Sequence, residues 1–326
     1  MSEVIIGNQI KLYRNLDSHN FNIKADDEEL KEIYETLSDA AASIGYEEVS
    51  LNELSSLQRL KLVEEGKFSS NFLDRKHKGF FQKENMPDIV INGLEHLEIR
   101  EFSRDKSLDE IFKNVYEVED KLEDKVSFSF DPKFGYLTSR VLNTGTGLRP
   151  QVILHLPALN YFGMEEISKG LMRLGYVLMP YRSGAGRNAG SVYTLTFEST
   201  FGDEEDFYIN KLNMITKEIT DIELENRKRF YLDNIIQLED LVNRSFGMLS
   251  SARILSEEEM KDAMSNIKLG TELSILKPNR KIDFYDEVMK LKNGHLQIER
   301  GAILDIKSRD ILRANKSRAL MKEVFK

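Results

Sequence analysis

Glu95, His96, Glu98 and Arg100 crowd one short stretch, INGLEHLEIREF at 91–102. Carboxylates and an imidazole can take up or orient protons, and a guanidinium can hold an anion. A second candidate is the glycine-rich segment Gly145-Thr146-Gly147-Leu148-Arg149, inside FGYLTSRVLNTGTGLRPQVILHLPA at 134–158. The third is RDILRA at 309–314. On a helix Arg309 and Arg313 stand at i and i+4, so two guanidinium forks can converge on one phosphate. The same spacing also describes a solvated helical face, because 31% of the residues are charged. Lys67, Arg75, Lys76 and Lys78 read as a solvated basic cluster. His19, His77, His155 and His295 have no metal-ligand spacing, and His155 in LHLP reads as a core residue.

The elements that must position these groups follow from periodicity. Residues 26–45 place Leu30, Ile33, Tyr34 and Leu37 on one helical stripe. Ser107 and Glu110 form a capping box for a helix running through Val115 and Val118 toward Leu122. Strand-like runs are Asp88–Ile91, Leu97–Phe102, Val126–Phe130, Val152–Leu156, Tyr176–Met179 and Val192–Phe197. Asn92-Gly93, between Asp88–Ile91 and Leu94–Leu97, reads as a two-residue type I′ hairpin turn, followed by a half-buried strand in which His96 and Arg100 alternate with Leu97 and Ile99. From Glu204 onward the pattern is one of long amphipathic helices; Ser256 and Glu259 make another capping box, and Gly270 and Pro278 punctuate. The fold class expected is α+β: an antiparallel sheet flanked by helices over 1–225, then an all-helical domain over 226–326.

With 326 residues, two domains are the natural expectation. A net charge of −9 gives no electrostatic footprint for nucleic acid. The absence of cysteine excludes disulfides, thiolate metal sites and a cysteine nucleophile. MSEVIIGNQIKLYRN has no apolar signal core, and runs such as Val152–Leu156 are too short to span a bilayer. A cytoplasmic protein without membrane or metal partners is expected.

GYLTS and GTGLR, with LHLP behind them, make residues 134–158 resemble the ATP:guanidino (phosphagen) kinases, most closely bacterial protein arginine kinases. RNLDSHNFNIKADDEEL at 14–30, LSSLQRLKLVEEGKFSSNFL at 54–73 and FGMLSSARILSEEEMKDAMSNIKLG at 246–270 match in register. The resemblance implies a nucleotide lying on an antiparallel sheet, phosphates gripped by arginines, and carboxylates that orient or deprotonate a guanidinium. In such phosphoryl transfer, positioning and electrostatic stabilisation supply most of the catalysis.

Set against that family pattern, this chain departs at several positions. Gln9 and Lys11 stand where the family's S-x-R-x-R arginines fall, and lysine lacks the bidentate fork. The family's NEEDH-L-R loop appears as Asn92-Gly93-Leu94-Glu95-His96-Leu97-Glu98, so Glu98 replaces a phosphate arginine and Glu95 is the one acidic group left in that loop. A carboxylate at 98 repels nucleotide unless a neighbour such as Arg100 or Arg140 neutralises it. Arg140 replaces a cysteine and Gly66 a histidine used near the nucleotide. The flexible RGxxGE loop is reduced to Arg182-Ser183-Gly184-Ala185-Gly186-Arg187, without its glutamate. Arg149 and Arg182 match family phosphate arginines; Arg140 and Arg187 add charge nearby. Each lost charge-stabilising contact costs about 2.7–4 kcal/mol of barrier, and a lost base about 10²–10⁴ in rate. Such losses together approach the roughly 8 kcal/mol that marks the low end of enzymic acceleration.

The resemblance therefore implies a pseudokinase that retains the fold. RDILRA resembles the RDxxRA motif of protein arginine kinases, a receptor for phosphoarginine, with Arg309, Asp310 and Arg313 as the binding residues and Asp310 accepting from the ligand's guanidinium. The implied partners are arginine-phosphorylated proteins, an active kinase, its zinc-containing activator or a Clp-type unfoldase in stress-response protein quality control, with a homodimer also suggested. The alternative is a working divergent kinase in which Glu95 orients the guanidinium and Lys11, Arg149 and Arg182 hold Mg-ATP. A second alternative is a structural subunit of such an assembly.

Overall fold

In the computed structural model, residues 4–181 and 190–325 are described. The strands are β1 Ile5–Arg14, β2 Glu47–Glu48, β3 Gly79–Gln82, β4 Asp88–Ile91, β5 Leu97–Ser103, β6 Phe130–Asp131, β7 Gly135–Tyr136, β8 Leu148–His155, β9 Tyr176–Pro180 and β10 Val192–Phe197. The α-helices are α1 Asp27–Ser43, α2 Ser56–Glu65, α3 Leu108–Glu123, α4 Pro157–Phe162, α5 Met164–Arg173, α6 Glu205–Asp233, α7 Ile235–Ser251, α8 Glu257–Glu272, α9 Phe284–Lys290, α10 Asn293–Arg300 and α11 Ile306–Val324.

Eight strands form one antiparallel sheet in the order β2-β3-β4-β5-β1-β8-β10-β9. Its architecture is the expected α+β one, an antiparallel sheet with helices followed by a helical region. The period-two alternation of a strand decides what each face carries. In β1, Ile10 and Leu12 point into the core with Ile99 of β5, Leu148 and Val152 of β8, Leu37 of α1, and Ile111 and Val115 of α3. Gln9, Lys11 and Tyr13 must then lie on the opposite face.

The strand readings omit β1, β3 and the two-residue strands β2 and β7. In β1, Gly7-Asn8-Gln9 interrupts the apolar run, so propensity underrates a strand held by neighbours on both sides. Val126–Phe130 is not a strand: it contributes a bridge from Phe128 to Leu16 and the start of β6. The two-residue hairpin also fails. β4 and β5 are joined by the five-residue loop Asn92–His96, closed by Asn92 N–H on His96 O. Of the Asn-Gly pair only Asn92 has a positive φ, 54°. Its amide donates to Leu30 O and His77 O at 2.8 Å each, which fixes the wider loop. His96 consequently sits in that loop rather than in a strand.

The division read near residue 225 falls inside α6, and the chain first breaks at Asn234. A buried ionic network crosses from the sheet region to the helical region here. Glu223 accepts from the N–H groups of Ala158 and Leu159 at the start of α4, and from Arg227 Nε at 2.7 Å. Arg227 also reaches Glu272 of α8 at 2.7 Å and His155 O at 3.1 Å. His155 Nε2 meets Ser265 Oγ at 2.8 Å, so the histidine is a buried, partnered core residue. Below them Gly270 lets α7 approach α8: a Cβ there would lie 2.4 Å from Val242 Cγ1. Among the described residues no helix is long and apolar enough to cross a membrane.

Replacing Arg227 by methionine would leave Glu223 buried without its counter-charge. The expected cost is about 3–5 kcal/mol of folding stability, measurable by urea denaturation; a loss below about 1 kcal/mol would mean that the network is not a structural tie.

Candidate functional site

The polar face of the sheet collects the residues that the sequence singled out. Register places Lys11 between Arg100 of β5 and Arg149 of β8, and Tyr13 opposite Glu98. Glu98 is 7% exposed and forms an ion pair with Arg100 Nη1 at 3.2 Å, with Lys11 Nζ at 4.0 Å. Its charge is thus compensated from its own strand and from β1, not from Arg140. Arg100 is also tied down, donating from Nη2 to Gly66 O at 2.5 Å. Arg149 donates from Nη1 to Glu198 O at 2.9 Å; burial draws its pKa below the ordinary value, and nearby Arg140 adds to this. Gln9 is 4% exposed, and its Nε2 has no hydrogen-bond partner. Arg182 and Arg187 lie outside the described residues.

Glu95 is fully buried in the β4–β5 loop. Asn15 Nδ2 donates to its Oε2 at 2.8 Å, Ser139 N to the same atom at 2.9 Å, and Ser139 Oγ to its Oε1 at 2.7 Å. This carboxylate holds the segment before the glycine turn against the end of β1. Beside it His96 Nδ1 accepts from Leu16 N at 3.0 Å, and Nε2 lies 2.9 Å from Asn20 O. That pattern requires a neutral ring with its proton on Nε2, and burial lowers the pKa to about 4.

Arg14, to which the sequence reading gave no role, is fully buried. It donates to Glu119 at 2.8 Å and to the carbonyls of Tyr13 and Thr146, with its guanidinium 3.4 Å from the Tyr136 ring centroid. Gly147 has φ +66°, and a Cβ there would sit 2.5 Å from both Arg14 Nη1 and Tyr13 O. The glycine turn therefore has a structural reason to persist, independent of any anion.

Helices from the second region close over one end of this face. His295 of α10 contacts Glu64 at 3.0 Å and Glu65 at 3.4 Å on α2. Arg104 pairs with Asp283 at 2.7 Å and Asp286 at 3.0 Å, while Phe102 and Tyr285 rings lie 6.0 Å apart. A cavity of about 510 Å³ remains between them, lined by Gln9, Arg100, Phe102, Tyr285 and His295 among others.

In α11 Arg313 turns away from Arg309 while staying bonded to Asp310. Arg313 is fully buried and donates to Leu291 O, Leu255 O, Asp310 Oδ1 and Asn293 Oδ1 at 2.5–2.9 Å. The expected convergence of two guanidinium forks is therefore not what the structure holds, since Arg313 turns inward. It heads the buried stripe Arg313, Ala314, Ser317, Leu320, Met321 and Val324, a helical period that was legible in the sequence. Arg309 is half-buried, with Nε lacking a partner, and Asp310 accepts Leu255 N–H at its carbonyl.

Residues 28–226 match the ATP:guanido phosphotransferase C-terminal catalytic domain, and residues 235–326 match the protein-arginine kinase McsB C-terminal domain. The chain belongs to the ATP:guanido phosphotransferase family. It is 31% identical over 320 residues to the protein-arginine kinase of Halothermothrix orenii, covering 96% of this chain and 91% of that one. The Bacillus subtilis protein-arginine kinase is 30% identical over 322 residues, at 96% and 88% coverage. Among solved structures, the duplicated taurocyamine kinase of Schistosoma mansoni aligns with TM-score 0.63 at 17% identity, over 74% of this chain and 37% of that longer one. A lombricine kinase aligns with TM-score 0.60 at 15% identity, over 69% and 67%. At these identities the structural likeness speaks for the fold. Gln9 and Glu98 are both buried on the sheet's polar face, and Glu98 draws Arg100 and Lys11 to itself.

The two histidines predict opposite limbs of a pH–stability curve. His295 is raised to about 9 by hydrogen bonds to Glu64 and Glu65, so its contribution is complete below about 6.5 and is lost as pH rises from there through 9. His96, lowered to about 4, contributes fully above about 6.5 and loses that contribution as pH falls toward 4. Urea midpoints should peak near pH 6.5, and His295→Gln should flatten the alkaline limb. An unchanged alkaline limb in that variant would contradict the assignment.

Proposed function

We propose that this chain is a protein-arginine-kinase-like pseudokinase that acts by binding arginine-phosphorylated protein rather than by making it. The observation that carries the reading is the buried Glu98 paired with Arg100 and Lys11 on the face where the family holds phosphate. A compensated carboxylate no longer repels nucleotide strongly, yet the compensation draws two cations away from any triphosphate. Gln9 offers an amide where the family motif has a guanidinium. These residues do not fit Mg-ATP. Glu95, the remaining acidic group of the loop, is held by Asn15 and Ser139, which argues against its orienting a guanidinium.

In the helical region, Arg309 and Asp310 are the residues proposed to meet phosphoarginine. The phosphate lies against the Arg309 guanidinium, and Asp310 accepts from the ligand's own guanidinium. Arg313 serves as a positioning residue: its bond to Asp310 Oδ1 at 2.6 Å holds that carboxylate while its other donors pin the helix. Binding of this kind suits a regulator of an active arginine kinase, of its zinc-containing activator or of a Clp-type unfoldase. The address proposed is the cytoplasm.

Incubation with γ-labelled ATP, Mg²⁺ and an arginine-rich protein should leave arginine unlabelled. Calorimetry with phosphoarginine should show binding that Arg309→Ala abolishes at unchanged thermal midpoint, whereas Arg313→Ala should also lower that midpoint. Label on arginine would defeat the pseudokinase reading, and equal heats from wild type and Arg309→Ala would defeat the receptor reading.

A further inference from the structure

Residues 252–256 join α7 to α8, and the two helices form the walls of an open cavity of about 1010 Å³. On α7 the lining residues Ile236, Asp240, Arg244 and Met248 recur every four positions, as one face of a helix does. At 1.5 Å per residue that face is about 18 Å long, the length of three helical turns. α8 contributes Ser256, Glu259, Asp262, Ala263 and Asn266 at a matching spacing.

Two properties set this groove apart. The first is apolar exposure: Ile236 is 69% exposed, Met248 41% and Tyr161 48%, and the Tyr161 ring is held by stacking on Phe230 at 4.1 Å. Apolar side chains spaced along a groove are the anchors that it offers to an amphipathic helix. The second is charge. Asp240, Glu258 and Glu259 stand along the lining, and the one cation lining it among the described residues is Arg244. The Arg244 side chain is 79% exposed and 3.7 Å from Asp240, an exposed pair of little strength. Glu259 accepts from Ser256 N–H and Oγ–H, which leaves its negative charge in place. The fourth carboxylate, Asp262, accepts Gly190 N–H at 2.7 Å. Gly247, three residues beyond Arg244 on the same side of α7, has nothing within 4 Å of where a Cβ would stand. Glycine destabilises a helix interior, and a bare backbone there lets a second one come close.

We propose that the α7–α8 groove is the docking site for a basic amphipathic helix of a partner protein. Such a helix lays an apolar i, i+3, i+4, i+7 stripe against Tyr161, Ile236 and Met248, while its lysines or arginines meet Asp240, Glu258 and Glu259. The net charge of −9 draws a cationic partner toward the whole molecule, and the groove supplies the local complement. Two copies of this chain meeting groove to groove would set the same carboxylates against one another. The groove is lined by none of Arg309, Asp310 and Arg313, so this docking stands apart from the phosphoarginine reading.

The test uses the full chain and a fluorescein-labelled, end-capped helical peptide of leucine, alanine and lysine, with leucines at i, i+3, i+4 and i+7, read by fluorescence anisotropy. The wild type should bind it at micromolar concentration, less tightly as salt is raised, and should not bind the same peptide with glutamate in place of lysine. Affinity should fall by about tenfold or more in Ile236→Ser/Met248→Ser and in Asp240→Asn/Glu258→Gln. It should stay unchanged in Glu28→Gln/Glu32→Gln, which removes two exposed charges from α1. Arg244→Glu should tighten binding severalfold, a gain that a damaged fold cannot produce. Absence of binding, an equal loss in the α1 control, unchanged affinity in the Ile236/Met248 variant, or an Arg244→Glu chain that binds no better would each overturn the proposal. Peptide displaced by rising protein concentration, with a dimer in sedimentation, would give the groove to a second copy and overturn it as well. A paired variant with a lowered thermal midpoint leaves the decision to Arg244→Glu and the glutamate peptide.

Discussion

The position of β1 in the middle of the sheet is the constraint from which the site follows. Its two neighbours, β5 and β8, leave it no freedom of register, and a slip of one residue would exchange Ile10 and Leu12 for Gln9 and Lys11 in the core. The C-terminal end of the strand is locked by Arg14, whose buried guanidinium joins Glu119 of α3 to the Thr146 carbonyl of the glycine turn. Breaking that contact would expose an unpaired buried charge, which is far costlier than losing a surface ion pair. Thus the same strand that presents Lys11 to the polar face also anchors the turn carrying Arg149. The fold can persist whether or not the polar face retains chemistry, because the anchoring residues and the polar-face residues alternate along one strand.

On that polar face several of the cations already stand beside carboxylates. Glu98 is matched by Arg100 and Lys11, and Lys67 by Asp88 at 2.9 Å. A site preorganised for a triphosphate needs the opposite condition, an excess of donors awaiting charge. Filling such a site with internal carboxylates lowers its self-repulsion and stabilises the fold, at the expense of anion affinity. The helical region reinforces the closure, since His295 and Arg104 bind acidic partners across the rim of the cavity rather than facing into it.

Much of this was legible in the sequence. β10 runs over Val192–Phe197 and β4 over Asp88–Ile91, where alternation and β-branched residues place them, and the capping boxes at Ser107 and Ser256 are both formed. The overlooked strand β1 has a local composition that argues against it and is held by tertiary pairing. The β4–β5 connection was misjudged because Asn-Gly is a strong local turn signal, while the contacts that widen the loop come from Leu30, His77, Asn15 and Ser139, remote in sequence. Glu98 was recognisable as a charge reversal, but which cation answers it is a matter of register. Arg100 lies two residues along the same strand, and Lys11 lies across the ladder next to Arg100.

Arg313 shows why a motif match under-determines a site. Spacing alone puts Arg309 and Arg313 on one helical face, and both a phosphate clamp and a buried anchor satisfy it. The deciding information is the stripe that continues from Arg313 through Ala314, Ser317, Leu320 and Met321 into the core. A guanidinium at the head of such a stripe must find acceptors within the protein, and it finds Leu255 O just before α8, Asn293 Oδ1 in the first turn of α10 and Leu291 O at the C-terminal end of α9. Those acceptors are main-chain carbonyls and one amide, so the arginine joins three helices; its ion pair is with Asp310, and it also acts on the nearby Glu257 carboxylate. A phosphoarginine held at Arg309 and Asp310, as proposed above, would therefore compete for an acceptor of Arg313, and its binding would be coupled through Arg313 to the packing of α8, α9 and α10.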